Sequence, residues 1–509
     1  MWEAIVIGSG IGGLAAAASL ARCGRRVLVL EQHHTAGGLT QTFERQGWRF
    51  ATGVHYIGGV GPQPGSAGQF GRLLAWLTDG QLRFAEAGNP YDIVHVGDEH
   101  FGVRAPASAW RADLHERFPH ERAAIDEWFA DCAEVERTTA AMFSMRALPP
   151  LAGWVLRQWR GEEVARWTRL TLAERLARIG DPLLRALLGA RWADYGAPPA
   201  TAPFLEHALV TGSYKDGAYF PVGGPARFAQ TLVPVIEAAG GELRCGADVR
   251  HIDLEHDHVA GVRYLHEGRW HAERSGLVIS AAGVINTVDS LPAAAEPLWQ
   301  DTLRGLQPGL GHIGLYLGLE GDIAAAGASA ANHWFYDSTD IGRLWRSPAD
   351  EDAPSMFVSF PSLKDPASHA APTAEVATVC DPQAFVHWLA LRDSEPRSEA
   401  YLAHKGWIED RLLSQFKQRF PGIAPMVRFH ELSTPLSQRR YVRSPAGAMY
   451  GIEMSAERLT TPALRVRTPV PGLLLAGQDV TSPGIAGACM GGLLAAASVE
   501  PRLLRRLMA

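Results

Sequence analysis

The apolar run Ala4-Ile5-Val6-Ile7 leads without a break into Gly8-Ser9-Gly10-Ile11-Gly12-Gly13 and then into the small-residue stretch Leu14 to Leu20. Four consecutive apolar residues read as a buried parallel strand, the alanine-rich stretch as a helix, and the glycines as the tight turn between them. Gly24 closes the helix, Val27-Leu28-Val29-Leu30 supplies a second strand, and Glu31 stands at its carboxyl end. Strand, glycine turn, helix, strand and acid in that order make a dinucleotide-binding βαβ unit. Gly8 makes the turn, Gly10 lets the backbone approach a pyrophosphate, and Gly13 allows close packing of helix on strand. The helix N-terminus offers free N–H groups and a partial positive charge to the phosphates. Glu31 can accept hydrogen bonds from both ribose hydroxyls. The chain is therefore α/β, built on a parallel sheet.

At 509 residues it exceeds a usual single domain, so two or three lobes are expected. A net charge of −6 excludes a globally basic nucleic-acid binder. The five cysteines are scattered with no CxxC pair, which argues against a disulfide framework and against a thiolate-held metal. A reducing, cytoplasmic setting follows as the expectation. The start carries Glu3 where a secretory signal needs basic residues, and its apolar run is broken by glycines. No uninterrupted apolar stretch of about 18 residues is present, so no transmembrane helix is expected. His33-His34 lie on one loop without an acid partner and read as surface residues, and no metal site is expected.

The βαβ unit alone does not separate NAD from FAD. Gly37-Gly38-Leu39-Thr40 follows Glu31 within a few residues, and no second GxGxxG with its own strand, helix and acid occurs downstream, so a separate nicotinamide domain is not expected. Further along stand Phe50-Ala51-Thr52-Gly53-Val54-His55-Tyr56-Ile57-Gly58, Gly217-Ala218-Tyr219-Phe220-Pro221-Val222-Gly223-Gly224-Pro225 and Phe357 to Pro366. Arg467-Thr468-Pro469-Val470-Pro471-Gly472-Leu473 then runs into Leu475-Ala476-Gly477-Gln478-Asp479-Val480. In these segments the chain resembles the retinol saturase branch of the carotenoid desaturase and isomerase flavoproteins. The closing segment is the most specific of them, and the likeness is weakest between Trp110 and Phe204. One departure is visible: Ala51 stands where an aspartate is usual in that family.

The resemblance implies a two-dinucleotide-binding-domain (Rossmann-like) flavoprotein with non-covalent FAD. By position it places Gly8, Gly10, Ile11, Gly12, Gly13, Glu31, Gln32, Gly38, Leu39, Thr40, Val54, His55, Val249 and Ala281 at the cofactor. From the closing segment it adds Gly477, Asp479, Gly484, Ile485, Ala486 and Gly487. Asp479 would meet the ribityl chain or inner phosphate, and an N-cap for the final helix is its plainer role.

The FAD-binding domain is expected to be discontinuous, over residues 1–75, 207–290 and 455–509, with a sheet-based substrate domain over 291–454. Residues 110–205 read as a helical subdomain rich in Trp and Arg, including Trp154, Arg157, Trp159, Arg160, Arg166 and Trp167. The tail Arg502 to Met508 has the same character. Such helices suit a membrane interface, and equally an ordinary helix with core Trp and solvated Arg.

Flavin carries the redox step in such proteins. Hydride leaving a carbon beside a polyene needs only a weak base afterwards, and His55, Tyr56, Tyr219 and Tyr450 are the candidates for the proton step. Lys364 reads as a turn residue or a contact to a substrate carboxylate. The leading expectation is an oxidoreductase that desaturates or saturates C=C bonds of a carotenoid, retinoid or fatty-acyl chain. Quinone, oxygen or a reductase could exchange its electrons. A redox-neutral polyene isomerase, an amine oxidase and a non-catalytic prenyl-binding escort protein are alternatives on the same fold.

Overall fold

The computed structural model describes residues 2–147, 150–389 and 398–503. The first sheet is five-stranded and parallel, in the order Leu473–Leu475, Val278–Ser280, Ala4–Ile7, Val27–Glu31, Glu242–Cys245. Ala4–Ile7 and Val27–Glu31 are buried along their whole length, as an unbroken apolar run at the centre of a covered parallel sheet requires. The strands come from the two ends of the chain and from its middle.

Helices Ile11–Ala21 and Gly484–Val499 bring those ends together. A Cβ on Gly492 would lie 2.0 Å from the carbonyl oxygen of Gly12, so the two helices touch backbone to backbone. Helix Arg227–Ala238 covers the sheet with Phe228, Leu232 and Ile236. An antiparallel ribbon of three strands, Asp248–Glu255, His258–His266 and Arg269–Arg274, is attached to it.

The second sheet has seven strands, in the order Val427–Ser433, Gly311–Leu319, Thr373–Cys380, Ser355–Ser359, Asn332–Tyr336, Asp92–Val96, Glu99–Val103. Its last two strands precede the helical segment in sequence and fall outside the 291–454 stretch expected to hold the sheet. Asp92–Val96 joins by parallel pairing with Asn332–Tyr336, which sets Asp92 opposite Asn332. Parallel pairing over that separation leaves no local signal in the chain. Helix Glu399–Arg419 backs this sheet through Ile408, Leu412 and Phe416, spaced by one turn.

A helical layer packs on the second sheet at Val94, Trp334 and Phe357: Ala107–Arg117, Arg122–Ala147, Pro150–Arg169, Leu172–Leu176, Pro182–Gly189 and Phe204–Ser213. Trp128, Trp167, Trp192 and Phe204 are buried in its core. Arg175 is also buried, on Asp131 at 2.6 Å and over the ring of Trp128. Part of this Trp- and Arg-rich segment is therefore core. Another part is surface: Leu151, Trp154, Val155 and Trp159 are exposed on Pro150–Arg169. In the basic tail Leu503 is buried, and residues 504–509 lie outside the described residues. Among the described residues no helix is long and apolar enough to cross a membrane.

Candidate active site

A cleft of about 750 Å³ opens at the carboxyl ends of the parallel strands, where open α/β sheets bind ligands. The glycine turn lines it with Gly8, Gly10, Ile11 and Gly12, and the second strand with Glu31 and Gln32. Gly38, Leu39, Thr40 and Val54 form one flank, and Val249 and Ala281 the other. Gly477, Asp479, Gly484 and Ile485 close the far end. Residues separated by most of the chain thus face one space.

The glycines divide into two kinds. A Cβ on Gly12 would fall 2.6 Å from Cα of Gly477, and one on Gly38 would fall 2.9 Å from Cα of Gly10. These two hold the backbones together. A Cβ on Gly10, Gly477 or Gly484 would meet nothing within 4 Å, so these three border the open cleft. Gly13 does not reach the cleft: its Cβ would lie 1.9 Å from the carbonyl oxygen of Gly8, so it serves the packing of helix on turn.

Glu31 is buried at the cleft floor. Its Oε2 accepts from Ser9 N–H at 2.8 Å and from Ser9 Oγ–H at 2.6 Å, and its Oε1 accepts from His33 N–H at 2.8 Å. Asp479 is buried too, and its Oδ2 accepts from the Val284 N–H at 2.8 Å. It caps the helix Val284–Asp289, whereas the plainer role expected for it was a cap on the final helix, which begins after Pro483. Its Oδ1 is buried with no donor. An unpaired buried carboxylate oxygen on the wall of a cleft suits a ligand hydroxyl. The carboxylate and the open glycines fit the ribityl and pyrophosphate parts of a flavin dinucleotide.

Tyr441 and Arg443, which carry no sequence signal, form a lip over the Glu31 end of the cleft. Arg443 reaches Asp248 at 2.5 Å, and Gln32 Nε2–H donates to the Tyr441 carbonyl at 2.7 Å. His33 and His34 pack on each other beside Tyr441.

A second cavity of about 350 Å³ adjoins the cleft. The two share Leu39, Gly53, Met449, Tyr450, Gly484 and Ile485. Ile57, Phe70, Leu209, Trp334, Phe357 and Val379 make most of its wall apolar. Ala486, Gly487 and His55 line this cavity instead of the cleft, whereas Ala488, on the same helix, returns to the cleft. Tyr56 and Tyr450 also face it. Tyr219 does not. It lies on the strand Tyr219–Pro221, exchanges both backbone hydrogen bonds with Ile57, and points its hydroxyl at the Asp216 carbonyl. The motif places its backbone near the site and its side chain away from it.

Beneath the cavity runs a buried polar layer that sequence reasoning missed. His55 Nδ1 lies 2.9 Å from Glu375 Oε2, and Glu375 Oε1 accepts from the Ala51 N–H at 2.5 Å. Lys364 stands in the turn after Pro361–Leu363, as expected, but it is buried and does not line the cavity. Its buried Nζ donates to the His55 carbonyl at 2.9 Å, to Ser359 Oγ at 2.7 Å and to Asn332. Burial pulls its ammonium down to about 7, against the pull of Asp92 and Glu375. Tyr56 donates its hydroxyl hydrogen toward Asp194, 3.1 Å away, and Asp92, 3.4 Å away. Burial lifts Asp194 to about 7, with Asp92 adding to the rise and Arg191 and Tyr56 opposing it. His312 is pulled down to about 4 by burial and by His55.

Residues 6–73 match the NAD(P)-binding Rossmann-like domain family, the stretch of the first βαβ unit. The all-trans-retinol 13,14-reductase of Rattus norvegicus is 32% identical over 529 residues, covering 99% of this chain and 86% of that protein. The chain belongs to the all-trans-retinol 13,14-reductase family. The chloroplastic prolycopene isomerase of Arabidopsis thaliana is 25% identical over 89% of this chain and 74% of its own length. Among solved structures, the cyclohexylamine oxidase of Brevibacterium oxydans IH-35A superposes with a TM-score of 0.62 at 18% identity, over 99% of this chain and 100% of that one. That likeness is one of fold.

Proposed function

We propose that the protein is an FAD-dependent oxidoreductase that adds two hydrogens across a C=C bond of a retinoid or similar polyene. The observation that carries this reading is the continuity of the two spaces. A cleft with dinucleotide-type walls opens, past Leu39, Tyr450 and Ile485, into an apolar cavity. A volume of about 350 Å³ lies within the range of small-molecule pockets.

FAD, when bound, supplies a two-electron carrier able to pass hydride. Everything else falls to the chain's own side chains. Gly8 to Gly12 would hold the pyrophosphate on the helix N-terminus, Glu31 would accept from ribose hydroxyls, and Asp479 would take a hydroxyl with its open Oδ1. Ile485, Ala486 and Gly487 would hold the flavin ring beside the apolar cavity, where Trp334 and Phe357 would exclude water from the double bond. Anaerobic incubation of the reduced protein with all-trans-retinol, followed by mass spectrometry, tests the reading through a gain of two hydrogens.

A redox-neutral isomerase of a polyene is the second reading, and the prolycopene isomerase relative favours it. It would change product geometry at constant mass. For substrate delivery, the exposed Leu151, Trp154, Val155 and Trp159 lie three, four and eight residues apart on one helix, beside Arg160 and Arg166. This spacing presents one apolar stripe edged by cations, which suits contact with an anionic lipid surface.

A further inference from the structure

Tyr56 places its hydroxyl between two carboxylates, Asp194 Oδ2 at 3.1 Å and Asp92 Oδ2 at 3.4 Å. The two are not equivalent. Asp92 is fully buried, accepts from Arg191 Nε at 3.0 Å and Nη2 at 2.7 Å, and takes Asn332 Nδ2–H on its other oxygen at 3.2 Å. Asp194 ends the short turn Ala190–Asp194 and lines the apolar cavity. The charged and titratable groups that share its electrostatic surroundings are Arg191, Asp92, Tyr56, Tyr91, Tyr195, Tyr214, Tyr336 and Tyr450. Arg191 donates two hydrogen bonds to Asp92, while Asp194 takes the Tyr56 hydroxyl. Of two carboxylates sharing one cation, the one without its hydrogen bonds holds its proton to higher pH.

We propose that the Asp194 carboxyl, held against Tyr56, is the acid that protonates the substrate carbon when the double bond is saturated. The proposal rests on the reading of the protein as a saturating oxidoreductase. The cavity's phenols and His312 are poorer acids, and His55 is the group that the variants below set against Asp194. Burial drives the phenols of Tyr56 and Tyr450 up, and His312 is held neutral. Asp194 and Tyr450 both line the apolar cavity, and Tyr450 lines the dinucleotide cleft as well. In the step, hydride from the bound reduced flavin forms a C–H bond at one alkene carbon. The π pair forms a C–H bond at the other with the Asp194 proton. The O–H pair stays on the carboxylate, which regains a proton from water after product leaves.

Two readouts test the role. Infrared titration of the flavin-loaded protein without substrate should show a protonated-carboxyl band that fades as pH rises through about 7. Asp194→Asn should lack that band at every pH. With all-trans-retinol, Asp194→Asn should keep flavin and substrate binding and lose about 100-fold or more in turnover. Tyr56→Phe removes a hydrogen bond that favours the carboxylate, so the band and the alkaline limb of the rate should both move to higher pH. An Asp194→Asn protein that turns over within about threefold of the parent overturns the role. So does an unmoved alkaline limb in Tyr56→Phe, or a loss confined to His55→Asn. A parent protein that adds no hydrogens overturns the functional reading itself and the role with it. An active parent beside an active Asp194→Asn overturns the role alone.

Discussion

Gly10→Ala separates the cofactor cleft from the fold that carries it. Gly10 has φ −59° and ψ 168°, an extended conformation open to any residue, and an added Cβ meets nothing within 4 Å. A glycine-to-alanine change at such a site stabilises a chain by about 0.4–1 kcal/mol, through the unfolded state. The new methyl, however, stands in the cleft where the pyrophosphate has to approach the backbone. Hydrogen bonds to a charged group are worth about 1.5–3 kcal/mol each, so losing one or two costs about 1.5–6 kcal/mol of FAD binding. That is a rise in Kd of about 10- to 20,000-fold. The assay is fluorescence titration of the apoprotein with FAD, paired with thermal unfolding in its absence. Gly13→Ala is the contrast, because its Cβ would stand 1.9 Å from the Gly8 carbonyl oxygen and the fold itself should suffer. Parental FAD affinity in Gly10→Ala, with unchanged apo stability, would refute the placement of the pyrophosphate.

Three further outcomes follow from the same geometry. Lys364 is pulled from 10.5 down to about 7 in the folded chain, so the unfolded chain binds the extra proton between these values and stability from this group rises with pH over that window. Urea unfolding of the parent and of Lys364→Met across that range should differ in slope by about one proton, and parallel curves would count against the buried ammonium. Tyr219→Phe should leave turnover unchanged, because its hydroxyl meets only the Asp216 carbonyl; a large loss would return it to the catalytic candidates. Trp154→Asp with Trp159→Asp should cut co-sedimentation with anionic vesicles while thermal stability holds, since both rings are exposed; undiminished co-sedimentation would remove this helix from the contact.

The parts of the molecule legible in the sequence are those whose chemistry is local. Strand, glycine turn, helix and acid at Ala4 to Glu31 form one contiguous pattern, and the cleft follows from it. The closing segment was legible through its resemblance, down to Asp479 and Ile485 on the cleft wall. The polar layer under the cavity was not, because its members meet only through sheet pairing and helix packing. Asp92 stands opposite Asn332, Lys364 reaches His55, and Glu375 reaches Ala51 across more than 300 residues of chain. Glu375 brings a carboxylate to the backbone of Ala51, the position where the family resemblance led one to expect an aspartate. Tyr219 misled because a motif reports where a backbone runs, and strand geometry then decides which way a ring points. The Trp-rich segment held both of its readings at once: Trp167 is core and Trp159 is surface.

The central claim is that the dinucleotide cleft and the apolar cavity act together on a carbon–carbon double bond. Its most direct test is mass spectrometry of all-trans-retinol after anaerobic incubation with the reduced, flavin-loaded protein. The account expects a product heavier by two hydrogens, formed in proportion to flavin oxidised. A product of unchanged mass and altered double-bond geometry, or unaltered retinol beside a flavin that stays reduced, would contradict it.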